Sequence, residues 1–415
     1  DDYCRKNQVS RARAIWTSKL PEQLQLKDVL QIAFDGEKWS EREQGLRVTV
    51  GLLDDPRSQS QYPLYFNLSE DGHTAIYGAP GSGKTTLLHT VAMSIALSYS
   101  PDAVHIYMMD FGGGSLNLFR DIPHVGGVAV AGDDERMLKL ADMLTTELKR
   151  RRKEIASLGL VSAASYREAT GKEMPYIVLL MDNFVPVFEM YPNLESTLQS
   201  IVRDGASCDI YIVMTTGGPN TIPYRISQNI KASVALRMAD SMDYAGIVGK
   251  TNGLVPENHP GRGLVRGNPP LEFQAALPAA GRSETERTAS IRAMAKLMNE
   301  KWSGDRAEGI PVMPDLVRAS DYPCDEIFLP LVHTISAADH KTAVPTEVID
   351  LAVDGKYDIG ILRFDPYFAT MIFADLITQQ RTGALFMVPM EAEEGAGQGG
   401  KLCLFLRIPV ISEIV

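Results

Sequence analysis

An eight-residue glycine-rich run at residues 78–85 is the part of the sequence that most plainly specifies chemistry. Its letters, GAPGSGKT, fit the pattern G-x-x-x-x-G-K-[ST], whose glycines let successive backbone N–H groups turn inward around phosphate oxygens. Lys84 should then reach the β- and γ-phosphates, and the Thr85 hydroxyl should bind Mg²⁺. Since an apolar stretch precedes the run and a helical pattern follows it, the sequence predicts an ATP–Mg²⁺ site rather than a glycine turn with a chance lysine. The predicted nucleotide-binding residues are Gly78, Ala79, Pro80, Gly81, Ser82, Gly83, Lys84, Thr85 and Thr86.

A second candidate is Asp182, a carboxylate at the end of the apolar run 177–181. A P-loop ATPase needs an acidic residue at the end of a neighbouring strand to hold the magnesium shell, so we predict that Thr85 and Asp182 are the metal ligands. The alternative is a turn residue that only ends a strand. The next position, usually acidic in active enzymes of this kind, is Asn183. Because an amide accepts no proton at neutral pH, we predict weak activation of the attacking water and weak hydrolysis.

Three other polar groups each allow two interpretations. Thr215 and Thr216 end another apolar run, where a catalytic sensor of the γ-phosphate often lies, although strand ends favour threonine in any case. The glycine-rich segment 110–115 is either a contact with the nucleotide or a neighbouring subunit, or a connection that binds nothing. The basic run 149–153 lies on a predicted helix between Glu147 and Glu154, which favours a solvated helix face over a nucleic-acid patch.

The elements that must position these groups alternate from about residue 46 onward. Apolar runs predict strands at 46–52, 64–68, 73–77, 104–109, 176–181 and 210–214, and helical patterns lie at 84–99, 133–158, 194–203 and 283–302. Strands separated by helices predict an α/β fold with a parallel sheet flanked by helices. We divide the chain into a lead-in (1–45), an ATPase domain (46–280), a helix and Pro-rich linker (281–325) that leads out of that domain, and a partial second α/β domain (326–415). The last part contains strand-like runs at 359–364 and 402–408.

Composition narrows the class of protein. The 415 residues include 41 Lys and Arg against 52 Asp and Glu, a net charge of −11, whereas a protein that grips nucleic-acid phosphates usually presents a basic face. Apolar runs stay short of the roughly 20 residues that span a bilayer, and the polar start has no signal-peptide pattern. We therefore expect a soluble piece, with a membrane anchor elsewhere in a longer parent left open. The scattered cysteines, Cys4, Cys208, Cys324 and Cys403, are typical of a reducing cytoplasm.

The order of these motifs resembles the FtsK/SpoIIIE motor ATPases, a P-loop NTPase fold of the RecA-like, FtsK/HerA type. The resemblance covers residues 12–280, including the segment 230–238 and the strand at 261–265. Within that group the chain is most similar to the type VII secretion ATPases EssC and EccC, whose modules open much as residues 16–30 and 48–54 do. The glycine-rich segment 110–115 is also similar to theirs. Residues 310–314 resemble their inter-module linker, which would make this chain one internal module plus part of the next.

The resemblance implies the cytoplasmic portion of a cell-membrane protein, with other ATPase modules of the same chain, membrane components of the secretion system and small helical secreted proteins as partners. It also implies a hexameric homo-oligomer. Three departures bear on activity: Asn183 replaces an acid, Ala206 stands where these motors place an arginine that reaches the neighbouring subunit (Arg203 is nearby), and Gly217 replaces a glutamine.

Three hypotheses follow from these patterns. The first is a module of a protein-export ATPase, and the second, its alternative, is a DNA translocase motor of the FtsK/SpoIIIE type. The third is an ATP-binding assembly or regulatory domain with little turnover. The net charge and the lead-in favour export over DNA, and Asn183 favours the third hypothesis as the role of this module within the first.

Overall fold

The computed structural model describes residues 18–40 and 45–312, and four strands beyond them. The chain divides into two compact units, Asp1–Pro311 and Val312–Val415. Trp16 in the lead-in, and the linker from residue 313 to 325, lie outside the described residues.

The first unit is built on an eleven-stranded sheet. Its strands are β1 (Leu24–Gln25), β2 (Arg47–Asp55), β3 (Ser60–Asn67), β4 (Thr74–Tyr77), β5 (Val104–Asp110), β6 (Val125–Val130), β7 (Tyr176–Asp182), β8 (Ile210–Thr216), β9 (Ala232–Leu236), β10 (Arg262–Val265) and β11 (Leu271–Leu277). The helices are α1 (Leu68–Asp71), α2 (Lys84–Ser98), α3 (Asp134–Ser157), α4 (Ala163–Thr170), α5 (Val187–Met190), α6 (Leu194–Asp204), α7 (Tyr224–Ser227), α8 (Asp243–Val248) and α9 (Glu284–Lys301). Short 3₁₀ turns lie at Leu26–Asp28, Ser115–Phe119 and Gly205–Cys208.

The sheet has a parallel half and an antiparallel half. Its order is β3-β2-β11-β10-β9-β4-β8-β7-β5-β6, with β1 beside β11. Strands β9, β4, β8, β7, β5 and β6 run parallel, which confirms the predicted helix-flanked α/β fold. Strands β10, β11, β2 and β3 extend it antiparallel. Strands were expected at 46–52, 64–68 and 261–265, but their antiparallel direction and β11 were not. The parallel arrangement matters for function because it brings the carboxyl ends of β4, β5, β7 and β8 to one edge of the sheet.

The middle of the sheet is covered on both faces, which explains its continuous apolar runs. Val178, Leu179 and Leu180 of β7 are all fully buried, although neighbours along a strand point to opposite faces. Helix α2 packs against the sheet with Leu87, Val91 and Ile95 fully buried. Burying each such side chain contributes about 1.5–3 kcal/mol. The helix that carries the glycine-rich loop is therefore fixed on a rigid support.

The parallel half ends at β6, which passes close to the chain that follows α9. The Ile310 N–H donates to the Gly126 carbonyl at 3.3 Å, and the Tyr107 hydroxyl donates to the Glu308 carbonyl at 3.0 Å. A side chain on Gly126 would overlap the Glu308 carbonyl, and one on Gly127 would approach Ile310 to 2.5 Å. The glycines thus allow residues 307–310 to run along this strand, and they also weaken its strand pattern in the sequence.

Helix α9, which we expected to lead out of the domain, packs on the first unit. Ile291, Ala295 and Met298 of this helix are buried and belong to the apolar core of that unit. The Lys301 ammonium also pairs with the Glu37 carboxylate of the lead-in at 2.7 Å.

The three arginines of the basic run on α3 form ion pairs within the first unit. Arg150 and Arg151 contact Glu147 at 2.7 and 2.6 Å, and Arg152 contacts Asp204 at 2.7 Å. Arg150 and Arg152 are about half exposed, as a solvated face predicts, but Arg151 is only 2% exposed. The expectation of a solvated face is therefore wrong for Arg151, which packs inside the unit.

The described strands of the second unit form a separate antiparallel sheet. They are β12 (Ile349–Asp354), β13 (Tyr357–Phe364), β14 (Ala384–Pro389) and β15 (Leu402–Pro409), in the order β12-β13-β15-β14. The runs expected at 359–364 and 402–408 lie within β13 and β15.

Two buried histidines should make the first unit sensitive to acid. Burial lowers the pKa of both His73 and His124 to about 4. Well above pH 6.5, for example at pH 8, both are neutral in the folded and unfolded chains, so stability is unaffected. As the pH falls from 6.5 toward 4, the unfolded chain binds protons that the folded chain refuses, and each histidine should cost about 2 kcal/mol of unfolding free energy at pH 5. Urea unfolding at pH 8 and pH 5 measures this loss.

Burial also lowers the pKa of His105 to about 4. Replacing His124 by Gln should therefore remove about a third of the loss that these three histidines produce together, because an amide has no charge to gain. The matched control is His259→Gln, at a side chain that is 36% exposed. An unchanged pH dependence in His124→Gln would contradict the assignment.

Candidate nucleotide-binding site

The glycine-rich run forms a tight loop between β4 and α2. Gly81 and Gly83 have φ angles of 73° and 102°, in the left-handed region that glycine adopts without steric cost. Gly83 also passes the Gly261 backbone so closely that a Cβ would lie 3.0 Å from its nitrogen. The loop is therefore held in place by its own backbone geometry and by the chain beside it.

The loop presents donors and positive charge to one small region. Helix α2 begins at Lys84, so the N–H groups of its first turn, which includes Thr85 and Thr86, have no intrahelical acceptor. The Lys84 ammonium folds over the loop and donates to the carbonyls of Gly78 and Ala79 at 2.7 and 3.1 Å. Burial lowers the pKa of Lys84, and the nearby Asp182 carboxylate partly offsets this effect.

These features fit a nucleotide phosphate chain. The Ser82 hydroxyl oxygen is buried beneath the loop without a hydrogen-bond partner among the described residues. The free N–H groups at the start of a helix point outward, and the positive end of the helix dipole lies at the same place. Together they bind anions. Bound ATP would supply the acceptor oxygens that this arrangement lacks.

The carboxylate of Asp182 joins the loop to the neighbouring strands. One of its oxygens accepts from the Thr85 hydroxyl at 2.8 Å, and the other accepts from the Thr215 hydroxyl at 2.6 Å. Asp182 is only 3% exposed. A hydroxyl and a carboxylate in contact are the oxygen donors that Mg²⁺ prefers beside a phosphate, so Thr85 and Asp182 would hold the ion.

Asn183 has an unusual backbone conformation. Its φ is 54°, a left-handed value that asparagine tolerates better than most residues. Its N–H donates to the Thr215 hydroxyl at 2.8 Å, and its side-chain amide donates to the Phe111 carbonyl at 3.2 Å. The position next to Asp182 is therefore occupied by an amide that is fixed between two strand ends.

The two threonines at the end of β8 are directed differently. Thr215 contacts Asp182, whereas the Thr216 hydroxyl contacts the hydroxyl of Thr221 in the following loop. Thr216 reaches the glycine-rich loop through its carbonyl, which accepts from Gly78 N–H at 3.1 Å. The structure thus brings Thr215, but not the Thr216 side chain, to the carboxylate.

The segment 110–115 is organised by its own aspartate. The Asp110 carboxylate accepts from the N–H groups of Gly112 and Leu116, both at 2.8 Å. Gly112 then lies against Asp182, since a Cβ there would be 2.5 Å from one oxygen of the carboxylate. Both oxygens of the Asp110 carboxylate thus have hydrogen-bond donors within the segment itself. This favours the interpretation of 110–115 as a connection that binds nothing over a contact with the nucleotide.

The other two departures, Ala206 and Gly217, lie away from Asn183, and so does Arg203. Ala206 precedes β8, so it is at the opposite edge of the sheet from the glycine-rich loop. Arg203 pairs with Asp204 at 2.9 Å and its side chain is 64% exposed. A Cβ on Gly217 would meet open space.

Two further contacts to the loop have no signal in the sequence. Arg237, just past β9, lies beside Pro80 and Gly81, with a guanidinium nitrogen 3.4 Å from the Pro80 carbonyl. The Gly261 N–H donates to the Ser82 carbonyl at 2.9 Å. Arg237 follows β9 and Gly261 precedes β10, and both residues reach the loop because the strand order brings β9 and β10 close to β4.

Residues 30–253 match the model of the FtsK/SpoIIIE family. The chain belongs to the FtsK/SpoIIIE family. This assignment confirms the resemblance predicted from the motifs, and membership of this P-loop ATPase family implies binding of a nucleotide with Mg²⁺.

Two relatives of this chain are type VII secretion proteins. The chain is 28% identical over 320 residues to the EssC protein of Staphylococcus aureus, covering 76% of this chain and 21% of that protein. It is 30% identical over 352 residues to the ESX secretion system protein EccC of Thermomonospora curvata, covering 82% of this chain and 25% of that protein. The chain thus spans about a fifth to a quarter of the length of these relatives.

The chain is also similar to solved structures of EssC and EccC. ATPases 2 and 3 of Geobacillus thermodenitrificans EssC match with TM-score 0.65 and 26% identity, covering 73% of this chain and 56% of that chain. ATPases 2 and 3 of Thermomonospora curvata EccC, solved in complex with a signal sequence peptide, match with TM-score 0.65 and 28% identity, covering 74% and 58%. Among the described residues, no helix combines the length and the apolar character needed to cross a membrane.

Proposed function

We propose that this chain is an ATP–Mg²⁺-binding module of a membrane-associated type VII protein secretion ATPase, which holds its nucleotide and hydrolyses it weakly. Residues 78–86 would bind the phosphates, Thr85 and Asp182 would bind Mg²⁺, and Thr215 would orient Asp182. Residues 46–280 would form the ATPase domain, and residues 326–415 would begin a further module. Bound Mg²⁺ would neutralise phosphate charge, while Lys84 and the first turn of α2 position the phosphates.

The observation that carries the proposal of weak hydrolysis is the environment of Asn183. Its amide donates to the Phe111 carbonyl, so its hydrogens are directed to a strand end. A carboxylate could not make that bond, and most residues would pay about 1–2 kcal/mol for the left-handed φ. The local structure therefore accommodates an asparagine, which cannot take a proton from water.

We further propose that the module acts beside other ATPase modules of its own chain in a hexameric assembly, with small helical secreted proteins as substrates and the membrane part of the secretion system as a partner. The relationship to EssC and EccC supports this proposal. The alternative of a DNA translocase is disfavoured by the net charge of −11 and by the ion pairs that occupy Arg150, Arg151 and Arg152. Tight, salt-dependent binding to duplex DNA would revive it.

Turnover should rise when an acid is restored beside Asp182. A positioned general base typically contributes a factor of about 10²–10⁴, and we expect Asn183→Asp to recover at least about tenfold in ATP hydrolysis. Aspartate tolerates the left-handed φ better than glutamate, although the longer Asn183→Glu side chain would reach further, so both variants should be measured. Steady-state phosphate release at saturating Mg–ATP is the assay.

The background rate of phosphate release is measured in two double variants, Lys84→Ala with Asn183→Asp and Lys84→Ala with Asn183→Glu. Equal turnover in the wild type and both Asn183 variants, at a level well above this background, would show that Asn183 does not limit hydrolysis.

A further inference from the structure

Arg237 is a cationic side chain at the mouth of the glycine-rich loop. It follows β9, the strand beside β4 on the side away from Asp182. Its backbone is tied to the loop, because its carbonyl accepts from the Ala79 N–H at 2.8 Å. Its guanidinium donates to the Asn258 side-chain oxygen at 2.7 Å and lies 3.8 Å from a Cβ position on Gly81.

The charge of Arg237 has no acidic partner within ion-pair distance in the described part of the chain. Its contacts there are two neutral oxygens, those of Asn258 and Pro80. Glu257, the acid next to Asn258 in the sequence, lies 3.6 Å from the buried Arg262 instead. A guanidinium has five N–H donors in a planar fork that suits phosphate oxygens, so most of its donor capacity is still available to a ligand.

Arg237 lies on the opposite side of the loop from the proposed metal ligands, Thr85 and Asp182. Thr85 and Asp182 would place Mg²⁺ on the β8 side of the loop, whereas Arg237 enters from the β9 side. Asn258 fixes the guanidinium in advance, which reduces the entropy lost when it binds an anion. Ala206 cannot supply a cation where a subunit-bridging arginine is expected, so a second cation beside Lys84 would have to come from elsewhere in the chain.

We propose that Arg237 is a phosphate-binding residue that acts within its own chain and favours ATP over ADP. This proposal rests on the proposed ATP-binding function. Because ATP carries more negative charge than ADP, a cation fixed at the loop mouth strengthens ATP binding more. Asn258 is a positioning residue that holds the guanidinium in place.

The test is calorimetric titration of ATP and of ADP, each with Mg²⁺, into the 415-residue chain and into Arg237→Gln and Arg237→Lys. Glutamine keeps a donor for Asn258 but no charge. We expect Arg237→Gln to lower ATP affinity at least about tenfold, the scale of one lost charged hydrogen bond. ADP affinity should fall less than about threefold, and Arg237→Lys should recover part of the ATP affinity. The gap between wild type and Arg237→Gln should also narrow at high salt.

A purely structural role would give a different pattern. It would lower the melting temperature without nucleotide and weaken ATP and ADP equally, and that result would overturn the proposal. Wild-type affinities in Arg237→Gln would overturn it as well, while leaving the ATP-binding function intact. A wild-type chain that binds neither nucleotide would remove the proposed function itself, and this inference with it.

Discussion

Replacing Lys84 by Ala is expected to lower the affinity of the chain for Mg–ATP by about 100-fold or more. In the structure the ammonium donates to the carbonyls of Gly78 and Ala79. With ATP it would exchange these neutral partners for anionic phosphate oxygens, and hydrogen bonds between charged groups contribute about 1.5–3 kcal/mol each. Two such bonds account for the expected loss, which titration with Mg–ATP measures directly.

The melting temperature gives a second measurement of the same effect. A ligand present at 100 times its Kd stabilises the folded state by about 2.7 kcal/mol, so ATP should raise the melting temperature of the wild type but not of Lys84→Ala. The matched control is Lys153→Ala, which removes the same charge from an exposed position on α3. Wild-type affinity in Lys84→Ala would mean that nucleotide, if bound, does not lie on the glycine-rich loop.

Replacing Asp182 by Asn should abolish the contribution of Mg²⁺ to ATP binding. The wild type should bind ATP more tightly with Mg²⁺ than with a chelator, because the ion joins the phosphates to Asp182 and Thr85. An amide keeps the size of the side chain but loses the negative charge that a hard cation requires. We expect the ATP affinities of the variant with and without Mg²⁺ to agree within about threefold, against a gap of about tenfold or more in the wild type.

Asp142→Asn, at an exposed position on α3, is the matched control and should keep the full Mg²⁺ effect. Thr215→Val should give an intermediate result, because it removes a hydroxyl that orients the carboxylate by a 2.6 Å hydrogen bond. A full Mg²⁺ effect in Asp182→Asn would place the metal ligand elsewhere.

The residues of the site that the sequence could predict are those defined by short-range pattern. Residues 78–85 are contiguous, and Asp182 directly follows an unbroken apolar run, so each is recognisable where it stands. The parallel half of the sheet was predictable for the same reason, since its strands are apolar runs separated by helices. Asn183 could be identified as a departure from the usual acid, but its left-handed φ and its bond to Phe111 could not.

What the sequence could not predict depends on strand order and side-chain direction. Arg237 reaches the loop across 157 residues because β9 lies next to β4, and nothing local marks it. Thr215 and Thr216 are identical side chains on one strand, and the difference between them arises from Asp182 on one side and Thr221 on the other. The strand at 261–265 was expected from the resemblance, but its antiparallel pairing, and the whole of β11, could not be predicted because they depend on which strands lie side by side.

The close passage of residues 307–310 along β6 also has a consequence for the solubility of the chain. A terminal strand with unpaired N–H and C=O groups is a template on which another polypeptide can add a strand, the first step of edge-to-edge aggregation. The bare backbone at Gly126 and Gly127 would be especially accessible, yet the Ile310 N–H already occupies the Gly126 carbonyl. The glycines that weaken β6 as a strand therefore allow residues 307–310 of the same chain to lie along this edge. A second polypeptide would have to displace them before it could add a strand there.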